Sequence, residues 1–288
     1  MSTLTIERCG PFASVQDLGR TGYRHLGVAR AGAADRAALK LGNRLVGNLE
    51  TAAGIEVLLG GLAFRVHAPT TIALTGAWVD ASVDGTRALP MLRSTRITAG
   101  CAVILGVPRE GLRTYVAIAG GVDVRATLSS RSTDTLGKLG PAPLAPGMEL
   151  PVGVPVATPP AVDAVPVAAP VEPLEVIFDP GPRHDMFADG ALSALVSRDY
   201  VVTSDVSRIG IKLQGPALLR AEEVEMRSEG MLPGSIQVPP SGEPIVLLAD
   251  GPPTGGYPVI GVVRDRYLDG ISQLRPGSPV RFHCGRTR

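Results

Sequence analysis

Polar and apolar positions along this chain alternate in short runs rather than in helical stripes. Leu62, Ala63, Phe64, Arg65 and Val66, and again Val280, Arg281 and Phe282, follow the two-residue period of a half-buried strand. Comparable β-branched runs bounded by Gly, Pro or Asp predict strands at 4–8, 55–66, 71–75, 96–105 and 114–119. A second series follows at 174–178, 200–204, 223–228, 245–249, 259–263 and 280–283. Spacings near ten residues favour a sandwich or barrel over βαβ units. Two helices interrupt the pattern. Across 34–46, Ala34, Ala38, Leu41 and Leu45 share one face, and Gly47 with Asn48 supplies a stop. A shorter helix is expected from Asp189, as N-cap, through Leu195. The expected molecule is therefore mainly β, with two β-rich halves at 1–150 and 174–288 and one long helix in the N-terminal half. Residues 151–173, rich in Pro, Ala and Val, read as a linker. Ser130-Arg131 ahead of Leu139-Gly140-Pro141 and Ser207-Arg208 ahead of Leu213-Gln214-Gly215-Pro216 form a faint internal echo.

Composition sharpens this picture. Glycine (35) and proline (26) make up about one fifth of 288 residues, against a usual ~12%, and so many helix breakers exclude a mainly helical chain. The net charge is +1, with no basic stripe or acidic tail, so nucleic acid and membrane are not expected partners. Any anionic ligand must instead be held by particular arginines, because Lys40, Lys138 and Lys212 are the only lysines. Cys9, Cys101 and Cys284 form no close pair, which fits a reducing compartment. The first residues lack the basic and apolar regions of a signal peptide. The apolar stretch 152–171 carries five prolines and Asp163, which no spanning helix tolerates. A cytoplasmic protein is the expectation.

Several chemistries lack their motif. There is no GxxxxGK[ST] phosphate loop, no GxGxxG after a strand, no GxSxG elbow, no HExxH and no CxxC. His25, His67, His184 and His283 are scattered, so no metal-ligand set is assigned. No lysine lies between two methionines as a biotin-attachment lysine does, so no biotin is expected on this chain.

Four segments concentrate polar groups beyond what turns require. The first holds Gln16, Asp17, Arg20 and Tyr23 among Gly19, Gly22 and Gly27. Asp17 and Arg20 suit orientation of a carboxylate or phosphate, and equally a tight loop in which they pair with each other. The second is the long helix, where Asp35 suits a cap and Asn43, inside the helix, has no capping role. The third is Ser129-Ser130-Arg131-Ser132-Thr133-Asp134, an anion-holding or ordinary hydroxyl-rich turn. The fourth joins Gln237 and the apolar run ending at Asp250 to Thr254-Gly255-Gly256-Tyr257-Pro258. Its Pro- and Gly-stiffened loop presents polar groups at little entropic cost.

Val15-Gln16-Asp17-Leu18-Gly19-Arg20, Gly22-Tyr23, Gly32-Ala33, Asp35, Asn43, Leu45-Val46-Gly47-Asn48, Ser130-Arg131-Ser132-Thr133-Asp134, Pro239-Pro240 and Thr254-Gly255-Gly256-Tyr257-Pro258 occur in this order. Together they resemble the biotin-dependent carboxyltransferase/allophanate hydrolase subunit 2 family. Its stand-alone members are described as the C component of 5-oxoprolinase or as antagonists of a kinase inhibitor. The resemblance implies halves of cyclophilin-like barrel type. It further implies a role beside the B component of 5-oxoprolinase, the main partner, and the A component, in opening 5-oxo-L-proline to L-glutamate with ATP and Mg²⁺. The family also includes the carboxyltransferase component of urea carboxylase, so carboxyl transfer to a urea-like amide and non-catalytic binding of a regulatory inhibitor are the alternatives. Within the resemblance, Asp17 and Asp250 are the expected catalytic residues. Gln16, Arg20, Tyr23, Asn43, Arg131, Ser132, Asp134, Gln237, Thr254, Gly255, Gly256 and Tyr257 are expected to bind substrate or nucleotide. The sequence departs from the family pattern at Ser207 in the Val206-Ser207-Arg208 turn and at Pro253 before Thr254.

Overall fold

The computed structural model describes residues 2–160, 165–167, 171–221 and 226–285. It is mainly β, as the alternating pattern implies, and its chain forms two compact units.

The first unit contains strands β1 (Ser2–Arg8), β2 (Phe12–Gln16), β3 (Gly54–Leu58), β4 (Ala63–Val66), β5 (Thr70–Val83), β6 (Arg87–Leu89), β7 (Thr95–Ile97), β8 (Ala102–Ile118) and β9 (Glu149–Val152). The sheet runs β2-β3-β8-β4-β1-β9, with β5 along β8 and carrying β6 and β7. Strand β8 is the spine, pairing Val116 with Ile55, Val103 with Phe64, and the stretch 103–118 with β5. Inward positions of these strands, among them Ile6, Val15, Ile55, Phe64, Leu74 and Val116, form one core. Helix α1 (Arg36–Leu45) lies on the sheet through Leu39 against Tyr115 and Leu45 against Ala73 and Ala117. The contact is close at Gly42, where a Cβ would lie 3.0 Å from Ala117 Cβ and 3.1 Å from Thr75 Oγ1. Thr75 Oγ1 also donates to the Ala38 carbonyl at 2.7 Å, tying helix to sheet.

The second unit contains β10 (Leu174–Pro180), β11 (Tyr200–Val206), β12 (Gly210–Gln214), β13 (Glu229–Gly230), β14 (Ser235–Gln237), β15 (Ile245–Leu247), β16 (Thr254–Gly255), β17 (Val259–Val263) and β18 (Pro279–Cys284). Seven of them close a barrel in the order β10-β17-β14-β15-β12-β11-β18, completed by the parallel β10–β18 pair. Phe178, Tyr200, Ile236, Val246, Ile260 and Phe282 fill it. Strands β13 and β16 form a separate ribbon. Helices α2 (Ala191–Ser197) and α3 (Leu268–Ile271) are short.

The differences from the sequence reading have local causes. The run 55–66 is two strands, because Leu59, Gly60 and Gly61 adopt positive φ and turn the chain. The run 96–105 divides between β7 and β8, whereas 71–75 is only the start of a 14-residue strand. Asp35 caps α1, accepting from Ala38 N–H at 2.8 Å. Asp189 does not cap α2: Gly190 holds that position at φ 85° with no side-chain bond. Of the expected strand 223–228, residues 223–225 lie outside the described residues, and 226–228 are not strand. The division also differs from a simple break across 151–173. Strand β9 pairs with β1 and ends at Val152, and the second unit comprises Thr21–Arg30, Thr135–Gly137 and Ala168–Arg288. Among the described residues no helix is long and apolar enough to cross a membrane.

Candidate functional site

The chemistry-bearing motifs become two networks, each built around one buried aspartate at the end of a strand run. In the first unit, Asp17 follows directly on β2. Its Oδ1 accepts from Gly19 N–H (2.8 Å), Ser130 Oγ (2.7 Å) and Ser132 Oγ, and its Oδ2 from Arg131 N–H (2.6 Å). Ser132 Oγ in turn accepts from Asp17 N–H, and Ser130 Oγ from Ser132 N–H, both at 3.0 Å. The hydroxyl-rich turn is thus folded onto the carboxylate. Leu128 and Ser129 take positive φ to reach it, a backbone cost the network offsets. Gln16 extends the lock, donating from Nε2 to Ser14 Oγ (2.9 Å) and the Thr133 carbonyl (3.0 Å).

Arg20 is sealed inside this network. Its Nη2 donates to the Ser132 carbonyl at 2.5 Å, its Nη1 lies 3.9 Å from Asp134 Oδ2, and neither side chain reaches solvent. Arg20 Nε and Nη1 and Gln16 Oε1 have no hydrogen-bond partner among the described residues. Gly140 makes room for the lock: at φ 81° it passes so close that a Cβ would meet the Ser132 carbonyl and lie 3.1 Å from Arg20 Nη2. Arg131 behaves differently. Its guanidinium is partly exposed and donates to Asp123 Oδ1 at 2.5 Å.

In the second unit Asp250 is fully buried just beyond β15. Arg208 Nε (3.0 Å) and Nη2 (2.9 Å) grip its two oxygens in a bidentate pair. Thr135 adds its N–H (2.9 Å) and hydroxyl (2.6 Å) to Oδ2. The Ser207-Arg208 turn, which departs from the family pattern, is therefore a structural half of this pair. Asp17 and Asp250, the expected catalytic residues, are therefore each held by several donors, with Arg131 N–H on Asp17 Oδ2 and Arg208 Nη2 on Asp250 Oδ1. Among the described residues no group of three His, Cys, Asp or Glu side chains converges.

Asn43 is likewise committed to the fold. Fully buried in α1, it donates to the carbonyls of Glu50 (3.2 Å) and Ala52 (2.8 Å) and accepts from Asn48 Nδ2 (3.1 Å). Tyr23 is half-buried, its carbonyl capping the turn at Arg24–Leu26. Beside it Arg24, which the sequence reading passed over, has a buried Nη2 without a partner, and burial lowers its guanidinium pKa.

The polar surface that stays open is the fourth segment. Thr254, Gly256 and Tyr257 are exposed on and after the β13–β16 ribbon. Gln237, buried on β14, donates to the Tyr257 carbonyl at 3.4 Å, and Val238 N–H donates to the Pro258 carbonyl at 3.0 Å. Gly255 packs closely on Gln237, since a Cβ there would lie 2.7 Å from Gln237 Nε2. Gln237, Thr254, Gly255, Gly256 and Tyr257 are thus brought together as the sequence implied. A surface concavity lined by Arg198, Asp199, Val201 and Gln214, among others, contains none of them, and its Asp199 is already paired with Arg281.

The sequence reading missed a second buried network in the first unit. Glu56 accepts from Ala34 N–H (3.0 Å) and Tyr115 OH (2.7 Å) and lies 3.5 Å from Arg113 Nε. Only the polar identity of Glu56 and Arg113 within otherwise apolar strands signals it.

Comparison with known proteins supplies the context for this geometry. The family model of the carboxyltransferase domain, subdomain A and B, matches residues 26–284. The C component of the 5-oxoprolinase of Escherichia coli is 35% identical over 97% of this chain and 90% of its own length. The crystal structure of TTHA0988 superposes with a TM-score of 0.88 at 34% identity, covering 98% of this chain but 55% of that one, so this chain spans about half of it. The urea carboxylase of Kluyveromyces lactis gives a TM-score of 0.90 at 26% identity, over 97% of this chain and 27% of its own.

Proposed function

The chain belongs to the carboxyltransferase domain family, subdomains A and B, and from that membership we propose that it acts as the C component of a cytoplasmic, ATP-dependent 5-oxoprolinase. One observation carries this reading: the match to a 5-oxoprolinase C component is end to end in both chains, 97% of one and 90% of the other. In the proposed reaction the lactam oxygen takes the γ-phosphoryl group of ATP and ADP departs. One water then adds to the activated carbon and the ring C–N bond opens to give the γ-glutamyl phosphate with a free amine. A second water releases phosphate from that acyl phosphate to leave glutamate. The B and C components carry out the activation and the A component the hydrolysis. Mg²⁺ enters with the nucleotide. In the second unit the substrate-facing groups are the exposed Thr254 and Tyr257 beside the buried Gln237, and in the first unit the candidate is the partly exposed Arg131. Asp17, Arg20 and Asp134 hold the Ser130–Asp134 turn of the first unit, and Asp250 holds Arg208 and Thr135 of the second.

The test is co-expression with the A and B components and measurement of ADP release. Release that depends on 5-oxo-L-proline, and is lost when this chain is omitted, is the expected result. Equal release without this chain, or none above background with all three present, sinks the proposal.

A second reading, carboxyl transfer from carboxybiotin to a urea-like amide, draws on the TM-score of 0.90 to a urea carboxylase. Avidin separates the two, because it blocks a biotin-dependent turnover and leaves the lactam route untouched.

A further inference from the structure

Arginines of the second unit with forked contacts end on a carboxylate: Arg183 on Glu229, Arg208 on Asp250, Arg264 on Asp179 and Arg281 on Asp199. Two half-buried arginines of this unit, Arg24 and Arg220, instead have a buried guanidinium nitrogen without a hydrogen-bond partner among the described residues, and of these Arg220 lies against the Thr254–Pro258 segment. A short antiparallel bridge to Phe187 fixes its backbone, with Ala188 N–H donating to the Leu219 carbonyl at 3.0 Å and Ala221 N–H to the Met186 carbonyl at 2.9 Å. From that anchor Nη2 donates to the Val238 carbonyl at 2.8 Å, and the guanidinium carbon lies 5.7 Å from the centre of the Tyr257 ring. Nε is buried without a hydrogen-bond partner, and among the described residues no carboxylate answers the charge.

Among the described residues this partly desolvated guanidinium has a neutral acceptor on one corner and no carboxylate, an arrangement that can take an anion. The surroundings limit which anion. Gln237 and Tyr257 are joined to the same backbone through the Gln237–Tyr257 and Val238–Pro258 bonds, and Tyr257 is 45% exposed, so the cluster is reached from solvent. It offers one cation, one phenol and one amide. It has no lysine: Lys212, the only lysine of the second unit, pairs with Glu243. A singly charged, planar carboxylate matches a guanidinium fork, whereas a nucleotide phosphate calls for more positive charge.

We propose that Arg220 receives the carboxylate of the substrate and so selects lactams that carry one. This rests on the 5-oxoprolinase reading. The Tyr257 ring beside the guanidinium and the bond to Val238 hold it in place, so its remaining Nη donors are positioned before substrate arrives.

The experiment uses the complex reconstituted with the A and B components, comparing 5-oxo-L-proline with 2-pyrrolidinone, the same ring without a carboxylate. Arg220→Ala is expected to raise KM for 5-oxo-L-proline about 30-fold with kcat little changed, as for loss of a charge-assisted contact made equally in ground and transition states. Arg220→Lys, which keeps the charge without the fork, is expected to recover only part of this, and it carries the test should the alanine variant not fold. KM for 2-pyrrolidinone, or its inhibition constant against 5-oxo-L-proline, is expected to be the same in wild type and variants. An unchanged KM for 5-oxo-L-proline in both variants overturns the inference and leaves the functional reading intact. A raised KM for ATP with either lactam assigns Arg220 to phosphate and also overturns it. A wild-type complex that does not turn over 5-oxo-L-proline removes the functional reading itself, and the inference with it.

Discussion

Asp17 and Asp250, the residues the sequence marks for chemistry, are each held by several hydrogen bonds of the fold. An aspartate at the end of a strand, beside Gly, Ser and Arg, is the pattern both of an acid–base group and of an anchor for a polar turn. Sequence does not display the hydrogen bonding that anchors these two residues: Asp17 faces four donors and Asp250 faces an arginine fork and a threonine. Asp250→Asn is therefore expected to destabilise the protein by about 3–5 kcal/mol, since Arg208 is left buried beside a neutral amide. Asp17→Asn is expected to cost about 2–3 kcal/mol, its amide nitrogen confronting donors it cannot accept from. Urea denaturation of the isolated chain measures both. Wild-type stability combined with lost turnover in either variant places that residue in the chemistry.

Among elements, legibility followed the length of the apolar run and the clarity of its ends. Strand β17 coincides with the expected 259–263, and α1 is recovered to within two residues with its aspartate cap, because a four-residue apolar period and a cap leave few alternatives. Strands β2, β12 and β14 escaped because Phe12–Gln16, Gly210–Gln214 and Ser235–Gln237 mix polar side chains into positions that tertiary pairing buries. Their buried polar residues, Ser14, Gln16, Ser235 and Gln237, belong to or adjoin the candidate site, so the weakest strand signals lie where the site is built. Asn43 follows the same logic within α1: an amide inside a helix signals a role, and that role is to hold the Glu50–Ala52 turn against the helix end. Asn43→Ala is expected to cost about 2 kcal/mol by stranding two backbone carbonyls and the Asn48 amide, read as a lower urea midpoint with an unchanged denaturant slope. The turn around Gly140 is expected to be less forgiving. Gly140→Ala adds left-handed strain to a clash with the Ser132 carbonyl, and a loss above about 2 kcal/mol is expected. A neutral result would mean that the Asp17 network tolerates displacement and is not the lock described.

At the scale of the whole molecule, each unit buries one tyrosine hydroxyl, and the scarcity of lysine makes their titration legible. Tyr200 in the second unit is fully buried and donates to the Pro216 carbonyl at 2.7 Å; burial pushes its phenol up to about 12. Tyr115 in the first unit is raised well above the usual phenol value, by burial first and then by the charges of Glu56 and Asp35. A raised folded pKa means the folded chain holds a proton that the unfolded chain releases first. The stabilisation is complete below the unfolded value near 10 and is lost as pH climbs from there toward the folded value. Above pH 10 each tyrosine is expected to remove up to about 1.4 kcal/mol per pH unit. With three lysines in 288 residues, few other groups titrate in that window to obscure the slope. Urea midpoints at pH 8, 10 and 11 for the wild type and Tyr200→Phe test this. The phenylalanine variant is expected to lose about 1 kcal/mol at pH 8, for the missing bond to Pro216, and to fall less steeply above pH 10. The Tyr115 contribution should remain. Parallel curves for the two proteins would show that Tyr200 is not what limits alkaline stability.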